Sequence, residues 1–116
     1  MYVRPHTPTV VLASVATFRN ARVELRHLRY LVTASEAGTI GAAARRLRVA
    51  QQAVSRQLLD LEREIGTPLL LRSKGGVRLT EAGELLVQAA REAITRIDHA
   101  VAELRLQVDG QLPSVG

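Results

Sequence analysis

The chain has 116 residues, no cysteine, a formal charge of +5 and few aromatics. That length holds one small domain plus an appended helix, and a core this size benefits from a partner subunit. The missing cysteines exclude disulfide frameworks and thiolate metal sites, and no apolar run approaches the ~20 residues of a membrane-spanning helix. The positive balance suits an anionic partner such as nucleic acid.

Residues 1–22 carry no acid and contain the short run "VVLASVA", which faintly resembles the apolar part of a signal peptide. Ser14 breaks that run, so the segment reads as a disordered extension, the domain starts at Val23, and a cytoplasmic location is expected. "ELRHLRYLVTASEAG" then places Leu25, Leu28, Leu31, Val32 and Ser35 on one face of a first helix, with Gly38 as its stop. Thr39 is a good N-cap for a short second helix, "IGAAARRL", whose inward side is Ala43, Ala44 and Leu47. After a turn of Arg48, Val49 and Ala50, a third helix begins near Gln51. Its apolar positions Val54, Leu58, Leu61 and Ile65 step by four, three and four, and Gly66 and Pro68 end it. Two short strands follow around Ser73-Lys74-Gly75-Gly76.

Thr80 caps a long last helix expected to reach about Val108, before a flexible tail over 109–116. Val87, Ala90, Ile94, Ile97, Val101, Leu104 and Val108 alternate steps of three and four along it. That is the seam of a helix that pairs with another helix, so a homodimer through this helix is expected.

The charges are not spread evenly. No acid lies between Glu36 and Asp60, where Arg45, Arg46, Arg48 and Arg56 fall, nor between Glu64 and Glu81, where Arg72, Lys74 and Arg78 fall. Two helices joined by a tight turn, the second with an acid-free polar face, follow the helix-turn-helix plan. A helix in the major groove offers positions i, i+1, i+4 and i+5 to base edges; here these are Gln51, Gln52, Ser55 and Arg56. Glutamine suits adenine, arginine suits guanine, and serine suits a base or a phosphate. An acid on that face would repel phosphate.

The run "AAARRLRVAQQAVSRQLLDLEREIGTPLL" followed by "GVRLTEAG" resembles the N-terminal winged helix-turn-helix of LysR-type transcriptional regulators. The resemblance spans Val23 to about Glu84, and the next helix is similar to that family's dimerising linker helix. It implies a mainly α fold: a winged helix-turn-helix over 23–80 (three helices plus a two-stranded wing, with the helix-turn-helix at about 40–59), then a dimerisation helix over 81–108. It implies double-stranded DNA as partner, with contacts at Gln51, Gln52, Ser55 and Arg56 in the recognition helix and at Arg72 and Lys74 in the wing. It also implies that the family's effector-binding domain, and with it a small-molecule inducer site, is missing from this chain. Where the family usually has serine and proline, this chain has Ala50 and Gln52; Leu59 replaces a polar residue and Leu70-Leu71 the usual Phe-Glu. Ala50 is a poor N-cap, costing about 0.5–2 kcal/mol relative to serine.

No catalytic or cofactor motif emerges. His6, His27 and His99 lack ligand spacing and are expected at the surface or as caps; no G-x-S-x-G elbow or phosphate-binding loop is present. The leading function is a dimeric, sequence-specific regulator. The alternatives are an interaction module pairing with a full-length relative, a DNA coat of low specificity, and a fragment without activity of its own.

Overall fold

The computed structural model describes the backbone of residues 23–115 and the side chains of residues 23–110; the expected extension over 1–22, with His6, lies outside the described residues. Helix α1 (Leu25–Ala37) starts where His27 Nδ1 accepts the Glu24 backbone N–H at 3.1 Å, so His27 is a cap, and it is buried rather than on the surface. Its inward line is His27, Leu31 and Ala34, not the more apolar line through Leu25, Leu28 and Val32, which is only half-buried. Ser35, on the expected face, turns its hydroxyl back to the Val32 carbonyl at 2.8 Å.

Helix α2 (Ile40–Leu47) is capped as its sequence predicts, with Thr39 Oγ1 accepting the Ala42 N–H at 3.0 Å. Ala43 and Ala44 are buried, and their small side chains let α2 lie close to α1 and α3. Arg48 closes α2 in the left-handed region, φ 59° and ψ 46°, which turns the chain into helix α3 (Gln51–Ile65). Val54, Leu58 and Leu61 of α3 are fully buried. Ile65 continues their spacing but is 40% exposed, because the helix ends at the left-handed Gly66 and the chain leaves the core.

Strands β1 (Leu70–Ser73) and β2 (Gly76–Leu79) form an antiparallel wing, with Leu70 opposite Leu79 and Ser73 opposite Gly76. Three contacts fasten it to the helices. Val77 N–H donates to the Gly38 carbonyl at 2.9 Å, an approach that Gly76 permits, since a Cβ on its φ 126° backbone would strike that carbonyl. Glu62 Oε2 accepts the Leu69 and Leu70 N–H groups at 2.7 and 3.1 Å. Thr80 donates from its backbone N–H to the Leu69 carbonyl at 3.0 Å and from its hydroxyl to the Pro68 carbonyl at 2.8 Å, while that hydroxyl accepts the Gly83 N–H at 3.0 Å.

Helix α4 (Glu81–Val115) runs through the segment expected to be a flexible tail. No glycine or proline interrupts it between Gly83 and Gly110, and its early turns are held against α1. Two ion pairs fix that crossing, Arg91 to Glu36 at 3.2 Å and Arg29 to Asp98 at 2.8 Å. The pairs follow opposite chain order on the two helices, so α1 and α4 are antiparallel. Val87 and Ala90 are 3% and 1% exposed within the protomer, so they belong to this domain's own packing and not to a seam open to a partner. Ile94 is half-buried, and from Ile97 through Val101, Leu104 and Val108 the apolar stripe is exposed.

Candidate nucleic-acid interface

Burying Val54, Leu58 and Leu61 rolls the opposite side of α3 outward, and Gln51, Gln52 and Arg56 are exposed there, with Ser55 half-buried at its edge. Residues four apart stack along a helix, so this face carries two parallel rows, Gln51–Ser55 and Gln52–Arg56. The second row lines a shallow groove with Ala50, Ala53 and Gln57. At the entrance, Ala50 provides no side-chain cap, so the positive end of the α3 dipole faces outward without a side-chain acceptor there.

The first row meets the wing. Arg72 Nη1 donates to Ser55 Oγ at 3.3 Å, a bond between the exposed end of β1 and α3. The fold therefore brings together two residues separated by 17 positions that sequence reasoning assigned to the same surface. Lys74 is exposed at the two-residue tip of the wing, with no ion pair among the described residues. Gln51 stands at the other end of its row, against α2: its carboxamide lies over Gly41 beside the Arg45 guanidinium. Arg45, Arg46 and Arg48 are all exposed, so cations flank α3 on the α2 side as well as on the wing side.

The acids of α3 are held elsewhere. Asp60 sits 3.8 Å from Arg63, Glu62 is committed to the wing amides, and Asp60 and Glu64 line a separate polar groove with Glu24, Arg26 and His27. Asp98, whose carboxyl is held below its ordinary pKa chiefly by the hydrogen bond from Arg29, lies on α4 at the crossing with α1. Among the described residues no three potential ligands cluster as a metal site, and no helix is long and apolar enough to cross a membrane.

Sequence reasoning passed over three residues around this surface. Gln57 faces the Gln52–Arg56 groove and buries its Oε1 without a hydrogen-bond partner among the described residues. Glu62, which spacing along the helix left without a role, secures the wing. Gly41 was given no role within the run "IGAAARRL". For Gln57 the available signal was its place next to Arg56; the other two depend on contacts that local spacing does not reveal.

A family described as bacterial regulatory helix-turn-helix protein, lysR family, matches residues 25–84. The chain is 44% identical over 94 residues to the HTH-type transcriptional regulator TfdS of Cupriavidus pinatubonensis, a match covering 78% of this chain and 32% of the relative. It is 41% identical over 92 residues to the Hca operon transcriptional activator HcaR of Escherichia coli, covering 78% of this chain and 31% of that protein. The chain thus spans about a third of the length of these curated relatives. Among solved structures it is similar to the CbnR_DBD–DNA complex, with a TM-score of 0.68, 36% identity, and coverage of 74% of this chain and 99% of that one. It is similar also to BenM_DBD in complex with benA site 1 DNA, with a TM-score of 0.67, 37% identity, and coverage of 72% and 96%. With the family matched over more than half its length and relatives above 40% identity, the chain belongs to the lysR family of bacterial regulatory helix-turn-helix proteins.

Proposed function

We propose that this chain is the double-stranded-DNA-reading part of a LysR-type transcriptional regulator and acts as a dimer through the distal half of α4. The observation that carries the DNA reading is the acid-free face of α3 joined to the basic wing by the Arg72–Ser55 hydrogen bond. In this reading α3 enters the major groove. Gln51, Gln52 and Arg56 contact base edges, with the Arg56 fork suited to the O6 and N7 of a guanine. Arg72 and Lys74 grip phosphate and carry little sequence information. The bond that Arg72 donates to Ser55 restrains the arginine before DNA arrives, so less side-chain entropy is lost on binding. The two DNA-complexed relatives support this reading.

Selection of binding sites from a random duplex pool, with competitor DNA present, tests it. The wild type should enrich one motif. Arg56→Ala should lose roughly 1–3 kcal/mol on that motif and relax one base position. Lys74→Ala should weaken binding to all sequences alike and lower the salt slope by about one. A wild type that enriches nothing over the starting pool would refute sequence reading. The exposed stripe from Ile97 to Val108 favours one second reading, a module that pairs with a longer relative. That reading predicts mixed dimers with such a relative and no DNA binding by this chain alone.

A further inference from the structure

We propose that Gly41, which lies outside the DNA-facing set, positions Gln51 for base reading and so helps to set sequence preference; this rests on the DNA-binding reading above. Gly41 is the second residue of α2, and glycine is a poorer helix former than alanine. Its backbone does not call for glycine: the glycines with positive φ among the described residues are Gly38, Gly66 and Gly76. Space explains it instead. A Cβ at position 41 would stand 3.1 Å from Gln51 Nε2, and 3.7 Å from both Gln51 Cδ and Arg45 Nη1. All three of these nearest atoms belong to side chains. The absent methyl group leaves a notch in α2, and the carboxamide of Gln51 occupies it.

The consequence lies in preorganisation. Gln51 is exposed at the first turn of α3, where a glutamine side chain would otherwise sample many rotamers. A bidentate pairing with adenine needs the carboxamide in one orientation, and ordering it only at the moment of binding subtracts from affinity and selectivity. Resting against Gly41 restricts it beforehand, with the Arg45 guanidinium on the same notch. Ala43 and Ala44, two and three residues on, are buried core contacts, whereas the nearest groups that a methyl at 41 would meet are the ends of the flexible Gln51 and Arg45 side chains. Gly41→Ala therefore shifts Gln51 by a few tenths of an ångström or more while leaving the helix intact. A purely structural role and a positioning role thus give opposite signatures: the methyl group favours the helix and disfavours the reading geometry.

The test compares wild type, Gly41→Ala, Gln51→Ala and the double variant by random-duplex selection, by affinity for the selected duplex, and by melting temperature. Gly41→Ala should melt no lower than wild type yet bind the selected duplex on the order of three- to tenfold more weakly. Its motif should change at the base position that Gln51→Ala relaxes, with the salt slope unchanged. In the Gln51→Ala background, Gly41→Ala should change neither motif nor affinity. An unaltered motif in Gly41→Ala, or an effect that persists without Gln51, overturns the proposal. In the free protein, nuclear Overhauser contacts between the Gln51 side-chain amide protons and the Gly41 α protons should be present, and their absence also overturns it. A wild type that selects no motif while keeping those contacts defeats the DNA reading, and base positioning with it; the contacts alone then establish only the notch.

Discussion

Replacing Glu62 with alanine should detach the wing from α3 at measurable cost. One carboxylate oxygen accepts two backbone donors, Leu69 N–H at 2.7 Å and Leu70 N–H at 3.1 Å. Both residues are nearly buried, at 2% and 6% exposure, so water does not readily replace the acceptor. A hydrogen bond to a charged group nets about 1.5–3 kcal/mol, and a stranded buried donor costs about 1–3 kcal/mol. These two figures describe the same loss, and Glu62 itself is half-buried, so the pair together should be worth about 2–4 kcal/mol. Glu62→Gln keeps an acceptor but not its charge and should lose roughly half of that. Urea unfolding at one fixed protein concentration reads the difference, with an unchanged m-value as the sign that the unfolded state is unaffected. Amide exchange adds a local readout: Leu69 and Leu70 should exchange faster in Glu62→Ala than the α1 core does. A Glu62→Ala protein within about 0.5 kcal/mol of wild type would refute the reasoning, because surface substitutions free of such a role fall in that range.

Leu104 is 59% exposed in the protomer, so covering it in both copies should contribute about 2–4 kcal/mol to dimerisation, and Leu104→Lys should raise the dissociation constant by a factor of roughly 30 to 1,000. Sedimentation over a concentration series measures this, and a wild type that is monomeric at micromolar concentration would remove its basis. Arg48 holds a left-handed conformation that costs an L-residue about 1–2 kcal/mol, partly balanced by the extra freedom glycine has when unfolded. Arg48→Gly should therefore stabilise the fold by up to about 1 kcal/mol in thermal melts, and a drop in melting temperature would show that the arginine makes contacts worth more than the strain. The hydrogen bond from Arg29 depresses the Asp98 pKa in the folded state, so its stabilising contribution is present above the unfolded pKa and is lost as pH falls through the folded one. A carboxyl titration by NMR should show the Asp98 pKa rise in Arg29→Ala relative to wild type, and an unchanged value would show that the hydrogen bond does not depress it.

The elements whose ends depend on local chemistry were legible in the sequence. Thr39 caps α2, Gly38 and Gly66 stop α1 and α3, and each does so through atoms within four residues. Spacing alone misled where two different neighbours can cover the same stripe. Val87 and Ala90 keep step with Ile97, Val101 and Leu104, but the first two pack inside the protomer while the others are exposed. A three–four repeat records that something covers the stripe and is silent about which chain supplies the cover. In α1 the error ran the other way: His27 and Ala34 lie deeper than Leu25 and Leu28, because a helix surrounded by three others needs small residues and caps at its centre as much as bulk at its edge.

The candidate site was legible for a different reason, and only up to a point. Helical periodicity fixes the outward face of α3 once Val54, Leu58 and Leu61 are assigned to the core, so Gln51, Gln52, Ser55 and Arg56 follow from sequence. Charge then limits what that face can meet. An anionic partner would tolerate no acid there, and the acids of α3, Asp60, Glu62 and Glu64, all lie toward its C-terminal end, past that face. Asp60 lies near Arg63, and Glu62 holds the strand that carries Arg72 back to Ser55. Glu62 thus supports the proposed DNA-binding surface without standing on it. That link joins residues through the wing's backbone and is invisible to any pattern of spacing along α3. It also ties stability to the proposed function: loosening Glu62 should free Arg72 from Ser55, so Glu62→Ala is expected to weaken DNA binding through the wing while the selected sequence motif stays the same.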